Sequence, residues 1–185
     1  MHMPRGVLGE TGRGTAEHFG CSGRGPIQIG TLSKALGTLG GFVAASETVV
    51  DYLRARGRPY LFSTSQPPSV AAAGVAAVEL LEHDAARRQR LRESADRFRT
   101  GLQELGYDTG ASVTPIVPAL LGEERRATVL SAALRRRGVL AQAIVFPTVP
   151  AGRARVRAIV TAAHSDAQLD EALAAFGAAR DEISG

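Results

Sequence analysis

The chain has no tryptophan, one cysteine, one lysine and only 5% aromatic residues among its 185 positions. Each scarcity excludes something. A lone Cys21 forms no internal disulfide, so the fold is not crosslinked and suits a reducing compartment. No segment approaches the roughly 20 consecutive apolar residues that cross a bilayer. Met1 to Arg13, broken by Pro4 and several glycines, lacks the apolar stretch of a secretory signal. A soluble, cytoplasmic protein with no membrane partner is expected. His2, His18, His83 and His164 show no metal-ligand spacing. Few aromatics interleave with the basic residues, the net charge is only +4, and most arginines sit among carboxylates on helix-like stretches such as Arg87 to Arg99. That pattern is a solvated helix face, so the pI near 10.0 does not signal a nucleic-acid partner.

What is present stands out against these absences. The 22 basic residues are one lysine, Lys34, and 21 arginines. A guanidinium stays protonated and cannot act as an amine nucleophile, whereas a deprotonatable primary amine can form an imine with a carbonyl. Lys34 lies in Gly30-Thr31-Leu32-Ser33-Lys34-Ala35-Leu36-Gly37, after a β-branched run ending at Ile29 and before Gly40-Gly41-Phe42-Val43-Ala44. It is therefore expected in a small-residue turn between two strands. The glycines permit positive φ and close approach to a ligand, and Thr31 and Ser33 place hydroxyls beside the amine. The order Gly, four residues, Gly-Lys-Ser/Thr of a nucleotide phosphate loop is absent.

The rest of the chain alternates. A helix is expected over 47–56, a strand or extended link over 58–65, and a helix from Val70 to about Leu81 capped by Ser69, followed by a second helix to Leu105. Beyond about residue 108 come a strand at 116–121, a helix at 125–137 closed by Gly138, strands at 139–146 and 154–161, and a helix at 167–179 capped by Ser165 or Asp166. Strand, helix, strand, strand, helix predicts a small α+β domain.

Several ordered segments carry a family resemblance: Gly6-Val7-Leu8-Gly9 with Gly12-Arg13-Gly14, the Lys34 segment, Phe62-Ser63-Thr64-Ser65-Gln66-Pro67-Pro68, Pro147-Thr148-Val149-Pro150, Ala154-Arg155-Val156-Arg157 and Ala162-Ala163-His164. Together they resemble the α-oxoamine synthases, which are fold-type I pyridoxal-phosphate enzymes. The resemblance implies an α/β fold: the carboxy-terminal part of the aspartate aminotransferase-like large domain over 1–107, then a small α+β domain over 108–185. It implies decarboxylative condensation of an amino acid such as L-alanine with an acyl thioester, with CoA released.

By the same resemblance Lys34 holds pyridoxal 5'-phosphate and moves the proton at the α carbon, while Thr31 hydrogen-bonds the cofactor beside it. Ser63 and Thr64 reach the phosphate in the partner subunit, which implies a homodimer. Thr148 lines the acyl path, and Arg157 grips the amino acid carboxylate with a planar fork. Arg155 is expected on the opposite face of the strand, leaving one arginine for the site. Two features depart from the family pattern. The aspartate that pairs with the pyridine nitrogen is missing, and Met3 stands in register with the family's histidine, His2 being off by one. The family's upstream half, with its phosphate turn and ring-stacking histidine, has no counterpart in these residues, so docking to such a half is the expected alternative to self-association. Glycine-using relatives that make 2-amino-3-oxobutyrate or 5-aminolevulinate share the motifs, and an inactive remnant is the non-enzymatic alternative.

Overall fold

The computed structural model describes residues 6–21 and 27–183; His2, Met3 and Pro26 lie outside them. It divides into two compact units, Met1–Arg88 and Gln89–Gly185. In the first, a short helix α1 (Thr15–His18) precedes an antiparallel hairpin of β1 (Ile27–Thr31) and β2 (Gly41–Ala45). Helices α2 (Glu47–Arg56), α3 (Arg58–Leu61) and α4 (Pro68–His83) follow. The expected helix over 47–56 is present. Residues 58–61 are helical rather than extended, because Pro59 in the first turn has its φ pre-set for a helix and no N–H to lose there. The same effect moves the start of α4: Pro68 opens the helix, Ser69 falls inside its first turn, and no side chain caps it.

The first unit buries little. Among its described residues Leu36 is the only large apolar side chain below one-tenth exposure. Helices α2, α3 and α4 have no buried residue, and Ile27, Ile29, Val43, Val75, Val78 and Leu80 face outward.

The second unit has a conventional core. Helix α5 (Ala85–Glu104) spans the division and leads to β3 (Ile116–Gly122), α6 (Glu124–Arg136), β4 (Gln142–Ile144), β5 (Ala154–Ile159), α7 (Asp166–Ala178) and a 3-10 turn at Asp181–Ile183. The strands form one antiparallel sheet in the order β3-β5-β4, in the expected chain order of an α+β unit. Side chains alternate along a strand, so Val117, Ala119 and Leu121 of β3 and Ala154, Val156 and Ala158 of β5 share the buried face. Leu102, Leu130, Leu134 and Phe176 complete the core, each worth roughly 1.5–3 kcal/mol on burial. Phe176 meets Phe98 and Tyr107 edge-to-face at 5.9 and 5.6 Å, and the Tyr107 hydroxyl donates to the Phe176 carbonyl at 2.9 Å. Because Ala95, Phe98 and Leu102 belong to this core, the compact unit takes in most of α5 and starts upstream of residue 108.

Two caps settle open points. Ser165 is the cap of α7: its hydroxyl accepts from Gln168 N, and the Gln168 side chain accepts from Ser165 N, a reciprocal capping box. Gly138, at φ 80°, closes α6, and Val139 N donates to Leu134 O. That turn consumes residues expected in a strand, so β4 is only three residues long. No helix among the described residues is long and apolar enough to cross a membrane.

Candidate functional site

Lys34 stands in the loop between β1 and β2. The loop is built by a ladder that continues past the strands: Leu32 N donates to Gly40 O at 2.9 Å, and Thr38 N donates to Leu32 O at 3.0 Å. Gly37 N closes a turn on Lys34 O at 2.9 Å with φ 61°, a left-handed geometry that glycine adopts without strain. Inside the hairpin the strands run too close for side chains. A Cβ on Gly41 would sit 2.8 Å from the Gly30 carbonyl oxygen. The glycines expected to allow close approach thus do so for the opposite strand.

The loop is also tied from outside. Gln66 Nε2 donates to Leu39 O at 2.7 Å, and Thr38 Oγ1 donates to Val70 O at 3.2 Å. The segment that carries Ser63 and Thr64 is therefore held against the lysine loop through Gln66. Ser63 Oγ accepts from Ser65 N at 3.1 Å, and Ser65 sits at φ 68°, a conformation that costs a non-glycine residue about 1–2 kcal/mol. Both Ser63 and Thr64 are exposed.

Among the described residues the Lys34 amine is exposed and has no bonded partner. Thr31 Oγ1 and Ser33 Oγ lie 2.8 Å apart, and Thr31 Oγ1 also accepts from Ser33 N at 3.2 Å. An open primary amine flanked by two hydroxyls fits an aldehyde cofactor with polar ring substituents.

In the second unit Arg157 and Arg155 occupy the same face of β5. This corrects the expectation that Arg155 points away. Side chains alternate with a period of two, so residues two apart share a face, and the buried positions are Ala154, Val156 and Ala158. Both arginines line an open recess of about 280 Å³ with Ser112, Thr114, Ile116 and Pro118. Arg157 pairs across the sheet with Pro118 on one side and Gln142 on the other, and its Nε is buried without a hydrogen-bond partner. Thr148, in a turn where its N–H donates to Val145 O at 2.9 Å, is exposed and does not line the recess. Gln66, Ser112 and Thr114 were not expected. For Gln66 the signal was its place in the Phe62 to Pro68 motif; Ser112 and Thr114 sit in a connection with no periodicity to place them.

The chain belongs to the aminotransferase class I and II family, whose pattern matches residues 6–176. It is similar to curated 8-amino-7-oxononanoate synthases: 54% identical over 178 residues to that of Symbiobacterium thermophilum, and 52% over 168 residues to synthase 1 of Bacillus subtilis. These alignments take in 96% and 91% of the chain but only 45% and 43% of the relatives, so the chain spans about half the length of the curated proteins it matches. Among solved structures, Sphingomonas wittichii serine palmitoyltransferase superposes with a TM-score of 0.92 at 32% identity, covering 98% of this chain and 46% of that one. A Francisella tularensis 8-amino-7-oxononanoate synthase gives a TM-score of 0.84 at 24% identity over 98% of this chain and 53% of that one, a likeness of fold.

Proposed function

We propose that the chain is the lysine-bearing part of a pyridoxal-phosphate-dependent α-oxoamine synthase that joins L-alanine to an acyl thioester with loss of carbon dioxide and CoA. The observation that carries this reading is the 54% identity to an 8-amino-7-oxononanoate synthase over nearly the whole chain, against 32% for a serine palmitoyltransferase. Lys34 Nζ would hold the cofactor through its aldehyde group and would carry the proton at the substrate α carbon; its exposed, unbonded amine supports that role. The bound cofactor supplies the electron sink for cleavage at that carbon. Thr31 orients the ring through its hydroxyl, itself held by Ser33. Arg157 binds the amino acid carboxylate, and its place in the lining of the recess supports that role. Thr148 borders the acyl path from its exposed turn.

The working form is a dimer in which Ser63 and Thr64 serve the partner's phosphate. Their exposure beside Tyr60, Leu61 and Phe62, the last 81% exposed, supports a covering chain there. The test expresses the chain together with the upstream segment of a relative and measures CoA release. Release with pimeloyl thioester and L-alanine, lost in Lys34→Ala, supports the reading. Release only with acetyl-CoA and glycine rejects the substrate assignment, and release that persists in Lys34→Ala rejects the mechanism.

A further inference from the structure

The glycine loop ahead of α1 folds back on itself: Gly6 N donates to Gly12 O at 2.7 Å, and Gly14 N donates to Leu8 O at 2.8 Å. It closes around one side chain, Glu17 of α1. Glu17 Oε1 accepts from Thr11 N at 2.9 Å and from Thr11 Oγ1 at 2.8 Å, and Oε2 accepts from Arg13 N at 2.9 Å. Three donors from two loop residues thus converge on one carboxylate, in bonds of the charge-assisted kind. The Thr11 N–H, foremost among them, holds the carboxyl below its ordinary value of 4.5, so the group is ionised at neutral pH. Gly9 leaves room for it, since a Cβ there would run into the same carboxylate.

The loop is also wedged against the lysine turn. A Cβ on Gly6 would lie 3.3 Å from Ala35 Cβ and 3.1 Å from Leu81 Cδ1 of α4, so residue 6 fills the gap between helix and turn with backbone alone. Ala35 follows Lys34 directly. The other side of the loop is braced by Arg88: a Cβ on Gly12 would come within 2.8 Å of Arg88 Cδ, and the Arg88 guanidinium donates to the Leu81 carbonyl. Gln66 and Thr38 tie the far end of the lysine turn, and Gly6 backs the end that carries the amine. Gly6 N bonds to the carbonyl of Gly12, the residue between Thr11 and Arg13. A contiguous path therefore runs from the Glu17 carboxylate to Thr11 and Arg13, through Gly12 O to Gly6, and from Gly6 to Ala35.

We propose that Glu17 is a positioning residue for Lys34: its carboxylate locks the glycine loop, and the locked loop holds Ala35, and with it the lysine backbone, in place. This rests on the reading of Lys34 as the cofactor lysine. Glu17 acts through the loop and not on the amine itself.

The test follows amide hydrogen exchange across the 185-residue chain, free of cofactor, in the parent and in Glu17→Ala. Thr11 and Arg13 lose their acceptor directly. The decisive amides are Gly37 and Thr38, whose bonds to Lys34 O and Leu32 O close the lysine turn. They should exchange roughly tenfold faster, the loss of a charge-assisted anchor from an exposed element. Acetate supplies the carboxymethyl group that alanine lacks and should restore the parent rates, whereas chloride at the same ionic strength should not. Glu17→Gln keeps the shape but sets a donor against the loop's donors. It should exchange at an intermediate rate without rescue by acetate, and it carries the test if Glu17→Ala does not fold. Borohydride trapping of pyridoxal phosphate on Lys34 should slow and recover in parallel. Faster exchange confined to Thr11 and Arg13 overturns the proposal, as does recovery with chloride equal to that with acetate. A uniform rise over β1 and β2 that acetate leaves in place also overturns it, marking plain loss of stability. Absence of any adduct in the parent rejects the Lys34 reading alone, because the exchange readout needs no cofactor and still decides what Glu17 holds.

Discussion

Gly41→Ala tests whether the hairpin around Lys34 is as tight as its geometry states. Gly41 pairs with Thr31 in the antiparallel register, and an added Cβ would lie 2.8 Å from Gly30 O. Carbon–oxygen contacts between strands settle at about 3.3–3.6 Å, so the strands have to part by about half an ångström. The obstacle is backbone and cannot rotate away. Overpacking of this kind costs about 1–3 kcal/mol. It also displaces the ladder from Leu32 N to Gly40 O that sets the lysine loop. Since a 1 Å misplacement costs ~10²-fold, the half-ångström shift should slow borohydride trapping of pyridoxal phosphate on Lys34 by roughly tenfold. Gly30→Ala is the internal control. Its Cβ would meet the Phe42 ring at 2.3 Å, and a ring tip can swing aside. The assay is trapping rate together with thermal unfolding of each variant. If Gly41→Ala melts and reacts like the parent, or Gly30→Ala is the worse of the two, the close-approach reasoning is refuted.

Further outcomes follow from the second unit. Tyr107→Phe leaves the Phe176 carbonyl without its donor in the core and should cost about 1–3 kcal/mol in denaturant unfolding, with the ring packing kept. Ser165→Ala removes the hydroxyl that accepts from Gln168 N and leaves the backbone N–H of residue 165 on the Gln168 side chain, and calorimetry should show a loss of about 1 kcal/mol. The Arg90 guanidinium bonded to Asp166, and the Arg137 guanidinium bonded to Glu182, hold those carboxyls below their ordinary values of 3.8 and 4.5. A depressed carboxyl adds stability at and above its ordinary range and loses it as pH falls through the lowered value. The melting temperature should therefore drop as pH falls below that range, and less steeply in Arg90→Gln; equal slopes would show that the Arg90 pair carries no linkage.

The parts of the fold that the sequence made legible are those governed by local rules. The lysine turn was marked by its glycines, α2 by its periodicity from Glu47 to Arg56, and α6 by its closing Gly138. Misplaced features came from competition between local signals. Pro59 and Pro68 drew residues into helices where an extended link and a serine cap were expected. At the site, the alternation of a strand was available but applied with the wrong parity, which hid Arg155 from the recess it shares with Arg157. Contacts such as Gln66 to Leu39, 27 residues apart, have no local signature and emerge only when the chain is folded. The extent of α5 in the second core is of the same kind, because Phe98 finds Phe176 across the fold.

The central claim is that Lys34 is the cofactor lysine, and its uniqueness in the chain makes the measurement clean. The purified chain is mixed with pyridoxal phosphate, reduced with borohydride, digested and mapped by mass spectrometry, alongside Lys34→Ala. The account predicts an imine absorbance band that reduction fixes, a modified peptide containing Lys34, and loss of both in the variant. A band of equal strength in Lys34→Ala, or no lysine adduct in the parent, would contradict it.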